Sequence, residues 1–156
     1  MKQRVAITGI GAVTPIGVGV EGLWCGVHRG ESAVRRITRF DPSHFSSKIA
    51  AEVEFDPLCW MTAKRARRLD RFSQFALVSA QMALEDAGLS AVRAAGEGAG
   101  IYVGSALGGV AFAEEQHTSY LLEGPHHVNP LLALSVFGGA ASSNVTIELG
   151  LTGPSL

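Results

Sequence analysis

The strongest periodic signal in the chain lies in RRLDRFSQFALVSAQMALEDAGL, residues 67–89. Leu69, Phe72, Phe75, Ala76, Ala80, Ala83, Leu84 and Ala87 recur three and four positions apart. That spacing lines apolar side chains along one face of a helix and predicts a broad buried face, with Gly88 as the C′ residue. Elsewhere the apolar runs are short. Residues 5–8 run into Gly-Ile-Gly and residues 101–103 run into Gly-Ser, so each reads as a buried strand feeding a tight loop. Residues 49–55 predict a further short strand, and residues 21–27 predict a short helix ended at 28–30. Residues 110–122 predict a second long helix broken by Gly124-Pro125. Two strand-to-glycine-loop units joined by a long helix predict an α/β layered fold.

Composition narrows this picture. A chain of 156 residues is the size of one domain or a piece of one. With 47% hydrophobic and 17% charged residues and a net charge of −1, it lacks the basic excess of a nucleic-acid binder. Cys25 and Cys59 form no CxxC pair and have no histidine at metal spacing, which excludes a disulfide framework or zinc site as a reading and fits a reducing cytoplasm. Each lies beside a tryptophan, Trp24 or Trp60, and each is expected to be a buried, inert thiol. The apolar N-terminus follows a basic start but is broken by Gly9, Gly11, Pro15, Gly17 and Gly19. It therefore reads as neither a signal peptide nor a membrane span.

Several motifs invite a chemical reading. GIGAVTP resembles a dinucleotide-binding turn, but the third glycine position holds Thr14 and Pro15 follows, which favours a structural turn. GSALGG, residues 104–109, lacks the Lys-Ser/Thr of a phosphate-binding loop and reads as a loop of close backbone approach. His28, His44, His117, His126 and His127 have no third ligand at metal spacing and read as surface histidines. The run KRARR, residues 64–68, places four cations just before the long helix, where the positive end of the helix dipole disfavours them. An acidic partner or a phosphate would relieve that repulsion; a merely solvated face is the alternative. The small residues of FGGAASSNV permit close helix packing, either inside one core or against another subunit.

In order along the chain, VAITGIGAVTPIG, ITRFDPSHF, RRLDRFSQFALVSAQMALEDAGL, IYVGSALGG, EEQHTSYLLEGPHHVNP and IELGLTGPSL resemble the N-terminal half of elongating β-ketoacyl-acyl carrier protein synthases. The resemblance covers essentially the whole chain. It is strongest to the type II fatty acid enzymes, with polyketide ketosynthases close behind. It implies a thiolase-like α/β fold, with residues 1–156 as the first half of a layered αβαβα architecture. The implied chemistry is decarboxylative Claisen condensation of an acyl thioester with malonyl-acyl carrier protein. The family needs no resident cofactor, because acyl chains arrive on the phosphopantetheine of the carrier protein. Its nucleophilic cysteine and its catalytic histidines and lysine are expected beyond Leu156. No catalytic role is therefore assigned here, and the chain by itself is expected to be inactive.

By the same resemblance Lys64, Arg67 and Arg68 match the patch that docks acyl carrier protein, while Arg65 has no counterpart. Phe112 and Ala113 match the wall of the acyl pocket, where relatives often carry a bulky aliphatic residue. Ala113 implies a roomier pocket, unless Phe137 fills the space. Residues 137–144 depart from the Asn-bearing, Met-rich segment of fatty acid enzymes and are expected at a dimer interface. The implied partners are acyl carrier protein, the C-terminal half of the synthase, and a second subunit in a homodimer or a ketosynthase/chain-length-factor heterodimer. Neither a nucleic acid nor a membrane is implied. Two rival readings remain, a non-catalytic chain-length partner with the same fold and an independent interaction domain.

Overall fold

The computed structural model describes residues 4–90 and 98–156; the basic start at Lys2 lies outside them. The described chain opens on an extended segment and a small hairpin, β1 (Val13–Thr14) and β2 (Gly17–Val18). Thr14 closes the hairpin by donating its hydroxyl to the Gly17 carbonyl at 2.7 Å. Helix α1 (Gly19–Arg29) follows and ends at Gly30 in the left-handed region. β3 (Arg35–Arg36) and β4 (Ile49–Ala50) then pair antiparallel. The rest is largely helical: α2 (Ala63–Ala66), α3 (Arg71–Asp86), α4 (Val110–Glu123), α5 (Leu132–Val136) and α6 (Ala140–Leu149).

The core lies between α3 and α6. Leu77 and Val78 of α3 are fully buried, as are Ala140, Ala141 and Val145 of α6, with Met61, Leu69 and Met82 around them. Alanines and serines on α6 let the two backbones approach, and the large side chains come from α3. The small-residue segment thus packs one face, Ala140, Ala141, Ser142 and Val145, inside this chain, while Phe137 and Gly138 at its start stay exposed. The face of α3 that is fully covered is not the one the periodicity predicts: Ser73, Gln74, Leu77, Val78 and Met82 are buried, while Phe72, Phe75, Ala76, Ala80, Ala83, Leu84 and Ala87 are only partly buried. The helix ends where Gly88 predicts. Gly88 donates to Glu85 at 3.0 Å and Leu89 to Leu84 at 2.9 Å, closing the last turn as a Schellman motif.

The strands differ from expectation. Residues 5–8 form no strand, and Val5 and Ile7 are 93% and 87% exposed. An extended run becomes a strand only when a neighbouring backbone takes up its N–H and C=O groups, and among the described residues none lies beside it. Residues 49–55 yield only the two-residue β4. Residues 101–103 do find a partner, in the last residues of the chain. Ile101 donates to Pro154 at 2.8 Å, Leu156 to Ile101 at 3.0 Å and Val103 to Leu156 at 2.9 Å, in a parallel bridge.

The glycines after the first run have a packing role. A Cβ on Gly9 would fall on the carbonyl of Ala83, and one on Gly11 on the carbonyl of Ser79. These carbonyls lie one turn apart on α3, so the GIG turn lies directly on the helix backbone. Between the glycines Ile10 donates its N–H to Asp86 at 2.8 Å.

Candidate functional site

The basic run lies just before the long helix, in α2 and the residues that lead to Asp70, the N-cap of α3. Lys64 and Arg65 lie in α2, a single helical turn that precedes α3. The N-terminus of α3 is occupied by a carboxylate, Asp70, so the expected electrostatic clash does not arise. Lys64, Arg67 and Arg68 are exposed. Arg65 turns inward, where it forms an ion pair with Glu148 on α6. The run is thereby divided into three cations that face solvent and one that serves the fold.

The loop carrying Arg67 and Arg68 is held from three sides. Gln74 donates its side-chain amide to the carbonyls of Ala66 at 2.9 Å and Leu69 at 3.1 Å. Ser135, buried at the end of α5, donates to the Arg68 carbonyl at 3.3 Å. Asp70, only 6% exposed, accepts from Phe72 N–H at 2.9 Å and from Phe112 N–H at 3.1 Å. One carboxylate therefore joins the loop of Arg67 and Arg68 to the first turn of α4.

That turn carries the residues matched to the acyl pocket. Phe112 and Ala113 are half-buried. Phe112 shares a cleft of about 370 Å³ with Arg39, Arg67, Asp70 and Glu115, so Arg67 and Phe112 line the same opening. Phe137 stands at the end of α5, half-exposed, with its ring over Gly139. The GSALGG loop also acquires a role. Gly109 donates to Val136 at 3.1 Å, and Cβ atoms on Gly108 and Gly109 would meet the carbonyls of Val136 and Ser135. The start of α4 is thus seated on the end of α5.

Sequence reading missed Asp70, Ser135 and a second basic cluster, because each depends on residues far apart in the chain. Arg35, Arg36, Arg39 and Arg71 line a cleft of about 340 Å³ beside Glu52. Arg71 donates to the Val53 carbonyl at 2.7 Å and stacks 4.8 Å from the Phe75 ring centre and 5.6 Å from that of Phe55. Burial, reinforced by the neighbouring Arg39 charge, pulls its pKa below the usual arginine value. Glu52 accepts from Thr38 N–H at 3.0 Å, Thr38 Oγ1 at 2.9 Å and Arg39 N–H at 3.2 Å. These bonds, the Thr38 backbone bond foremost, hold its pKa below the ordinary 4.5.

All five histidines are exposed. Among the described residues no three His, Cys, Asp or Glu side chains converge as metal ligands, and no helix is long and apolar enough to cross a membrane. Cys25 and Cys59 are both exposed, contrary to the buried thiols expected beside Trp24 and Trp60. Those tryptophans are themselves largely or partly exposed and do not cover them.

Residues 2–156 match the family model described as the β-ketoacyl synthase N-terminal domain. The chain belongs to the β-ketoacyl synthase family. It is 39% identical to the 3-oxoacyl-[acyl-carrier-protein] synthase 2 of Coxiella burnetii, over 99% of this chain and 38% of that protein. With the synthase 2 of a Synechocystis strain it shares 36% identity, over 98% of this chain and 37% of the relative. Among solved structures, the ishigamide ketosynthase/chain length factor superposes with a TM-score of 0.83 at 31% identity, covering 99% of this chain and 39% of that one. A β-ketoacyl synthase from Burkholderia phymatum gives 0.78 at 27% identity, covering 97% and 38%. The fold is therefore the thiolase-like fold of ketosynthases, in its N-terminal part. The β-ketoacyl synthase chain spans about 38% of the length of the Coxiella relative.

Proposed function

We propose that this chain is the N-terminal portion of a β-ketoacyl-acyl carrier protein synthase that lengthens acyl chains in fatty acid or polyketide synthesis. The observation that carries the reading is the joined site: exposed Lys64, Arg67 and Arg68 beside a cleft that Arg67 shares with Phe112. A cationic rim at a half-apolar opening suits an acidic carrier protein that delivers an acyl chain on its phosphopantetheine arm. No resident cofactor enters this reading, which assigns the protein to the cytoplasm.

The reaction has two stages. A thiolate takes the acyl group from its carrier, releasing the carrier thiol. Malonyl-carrier protein then loses carbon dioxide, and the enolate attacks the acyl carbonyl and expels the thiolate, giving β-ketoacyl-carrier protein. Neither Cys25 nor Cys59 lines the cleft of Arg67 and Phe112. We assign the thiolate, and the groups that stabilise the enolate, to the remaining portion of the synthase. In this portion Lys64, Arg67 and Arg68 dock the carrier, and Phe112, Ala113 and Phe137 bound the acyl pocket. The subunits pair as a homodimer or as a ketosynthase with a chain-length factor.

The test is condensation by the synthase that contains this chain. Malonyl- and acyl-carrier protein should yield β-ketoacyl-carrier protein and carbon dioxide. The double variant Arg67→Glu, Arg68→Glu should raise the KM for carrier protein about tenfold or more. A KM unchanged by the reversal contradicts the docking assignment, and absence of condensation contradicts the catalytic one.

A further inference from the structure

Capping of α3 needs only one of the two hydrogen bonds that Asp70 accepts. Oδ1, 2.9 Å from Phe72 N, completes the α3 cap, a task that serine performs as well. Oδ2 lies 3.1 Å from Phe112 N, across 42 positions of chain. Helix α4 has Gly109 at its own N-cap and no side-chain cap from it. A buried carboxylate from the docking loop thus supplies what the helix lacks, at the end where backbone N–H groups are unpaired and negative charge is favourable.

We propose that Asp70 is a positioning residue for acyl-chain selection. It pins the first turn of α4, and with it Phe112 and Ala113, to the loop that presents Arg67 and Arg68. The inference rests on the function proposed above. The bond to Phe112 is made to a carboxylate and is partly shielded from solvent, so it is directional and stronger than one between neutral groups. Ser135 of α5, two residues before Phe137, adds a second tie to the same loop by donating to the Arg68 carbonyl. Both chain segments assigned to the pocket wall are therefore referenced to the docking loop. A pocket that discriminates acyl chains by single methylenes depends on such fixed walls, because a wall that frays accommodates the wrong length.

Two variants of the synthase containing this chain separate positioning from capping. Asp70→Ser retains an acceptor for Phe72 N–H but is too short to reach Phe112, whereas Asp70→Ala loses both bonds. The readouts are the ratio of kcat/KM for palmitoyl- and octanoyl-carrier protein, the thermal midpoint, and amide exchange at Phe112 and Phe72. Both variants should bring the ratio toward unity by about tenfold from its wild-type value. Phe112 should exchange about tenfold faster in both, while Phe72 exchange and the larger fall in midpoint belong to Asp70→Ala alone. A ratio unmoved in Asp70→Ser, or one that tracks the thermal midpoint, overturns the proposal even if Phe112 exchange accelerates. Should Asp70→Ala fail to fold, Asp70→Ser carries both readouts alone. Wild-type protein that condenses neither substrate refutes the functional reading; condensation with chain preference intact in Asp70→Ser refutes this one.

Discussion

The four cations of residues 64–68 look alike in sequence and differ in the fold. Arg65 is half-buried against Glu148, so Arg65→Ala should lower stability by about 1 kcal/mol or less, the scale of a partly solvated ion pair. Its effect on carrier-protein affinity should stay within about twofold, on the same scale of energy. Denaturant unfolding and a titration with carrier protein measure the two, and a loss of affinity without a loss of stability would place Arg65 on the docking face instead. Glu52 gives a pH prediction. Its pKa is lowered in the folded protein, chiefly by the Thr38 N–H, so its contribution to holding residues 38–39 is complete above the ordinary glutamate range. That contribution is lost as pH falls through the lowered folded value. Amide exchange at Thr38, referenced to an unaffected amide, should accelerate on acidification in the wild type. In Glu52→Gln that acid limb should be absent; an identical limb in both would assign it to another group.

At the scale of elements, what could be read from sequence was whatever depends on near neighbours. Helix α3 announces itself by its apolar period, its end by Gly88, and α4 by its break at Gly124, all local features. The strands were not legible in the same way. Residues 5–8 and 101–103 both read as apolar strand-like runs, yet among the described residues only the second meets a partner backbone, in residues 154–156. The Asp70–Phe112 bond was invisible for the same reason, since nothing near Asp70 in sequence points to α4. The GIG motif carried a readable exclusion, because Thr14 and Pro15 ruled against a dinucleotide turn, but its positive role needed α3 in place. With the Ser79 carbonyl where a Cβ would stand, Gly11→Ala should destabilise the protein by about 2 kcal/mol or more. Chemical denaturation of the variant checks this, and a cost below about 0.5 kcal/mol, the level of an ordinary surface substitution, would mean the turn can lift off α3.

The whole molecule presents two kinds of surface. One is apolar and unpartnered: Val5, Ile7 and Tyr102, the last 70% exposed, crown the extended segments. Apolar side chains this exposed suit surface that another part of a protein covers. The 156-residue chain purified alone should therefore bind an apolar dye strongly, and weak binding would show that it shields these residues by itself. The other surface is the cationic rim of Lys64, Arg67 and Arg68 beside the Phe112 cleft, where the account places carrier-protein docking. That claim is tested most directly by the salt dependence of carrier-protein binding to the synthase, wild type against Arg67→Glu, Arg68→Glu. An electrostatic dock predicts that wild-type affinity falls as salt rises and that the double variant binds more weakly with a flatter dependence. Equal slopes in the two proteins would contradict it.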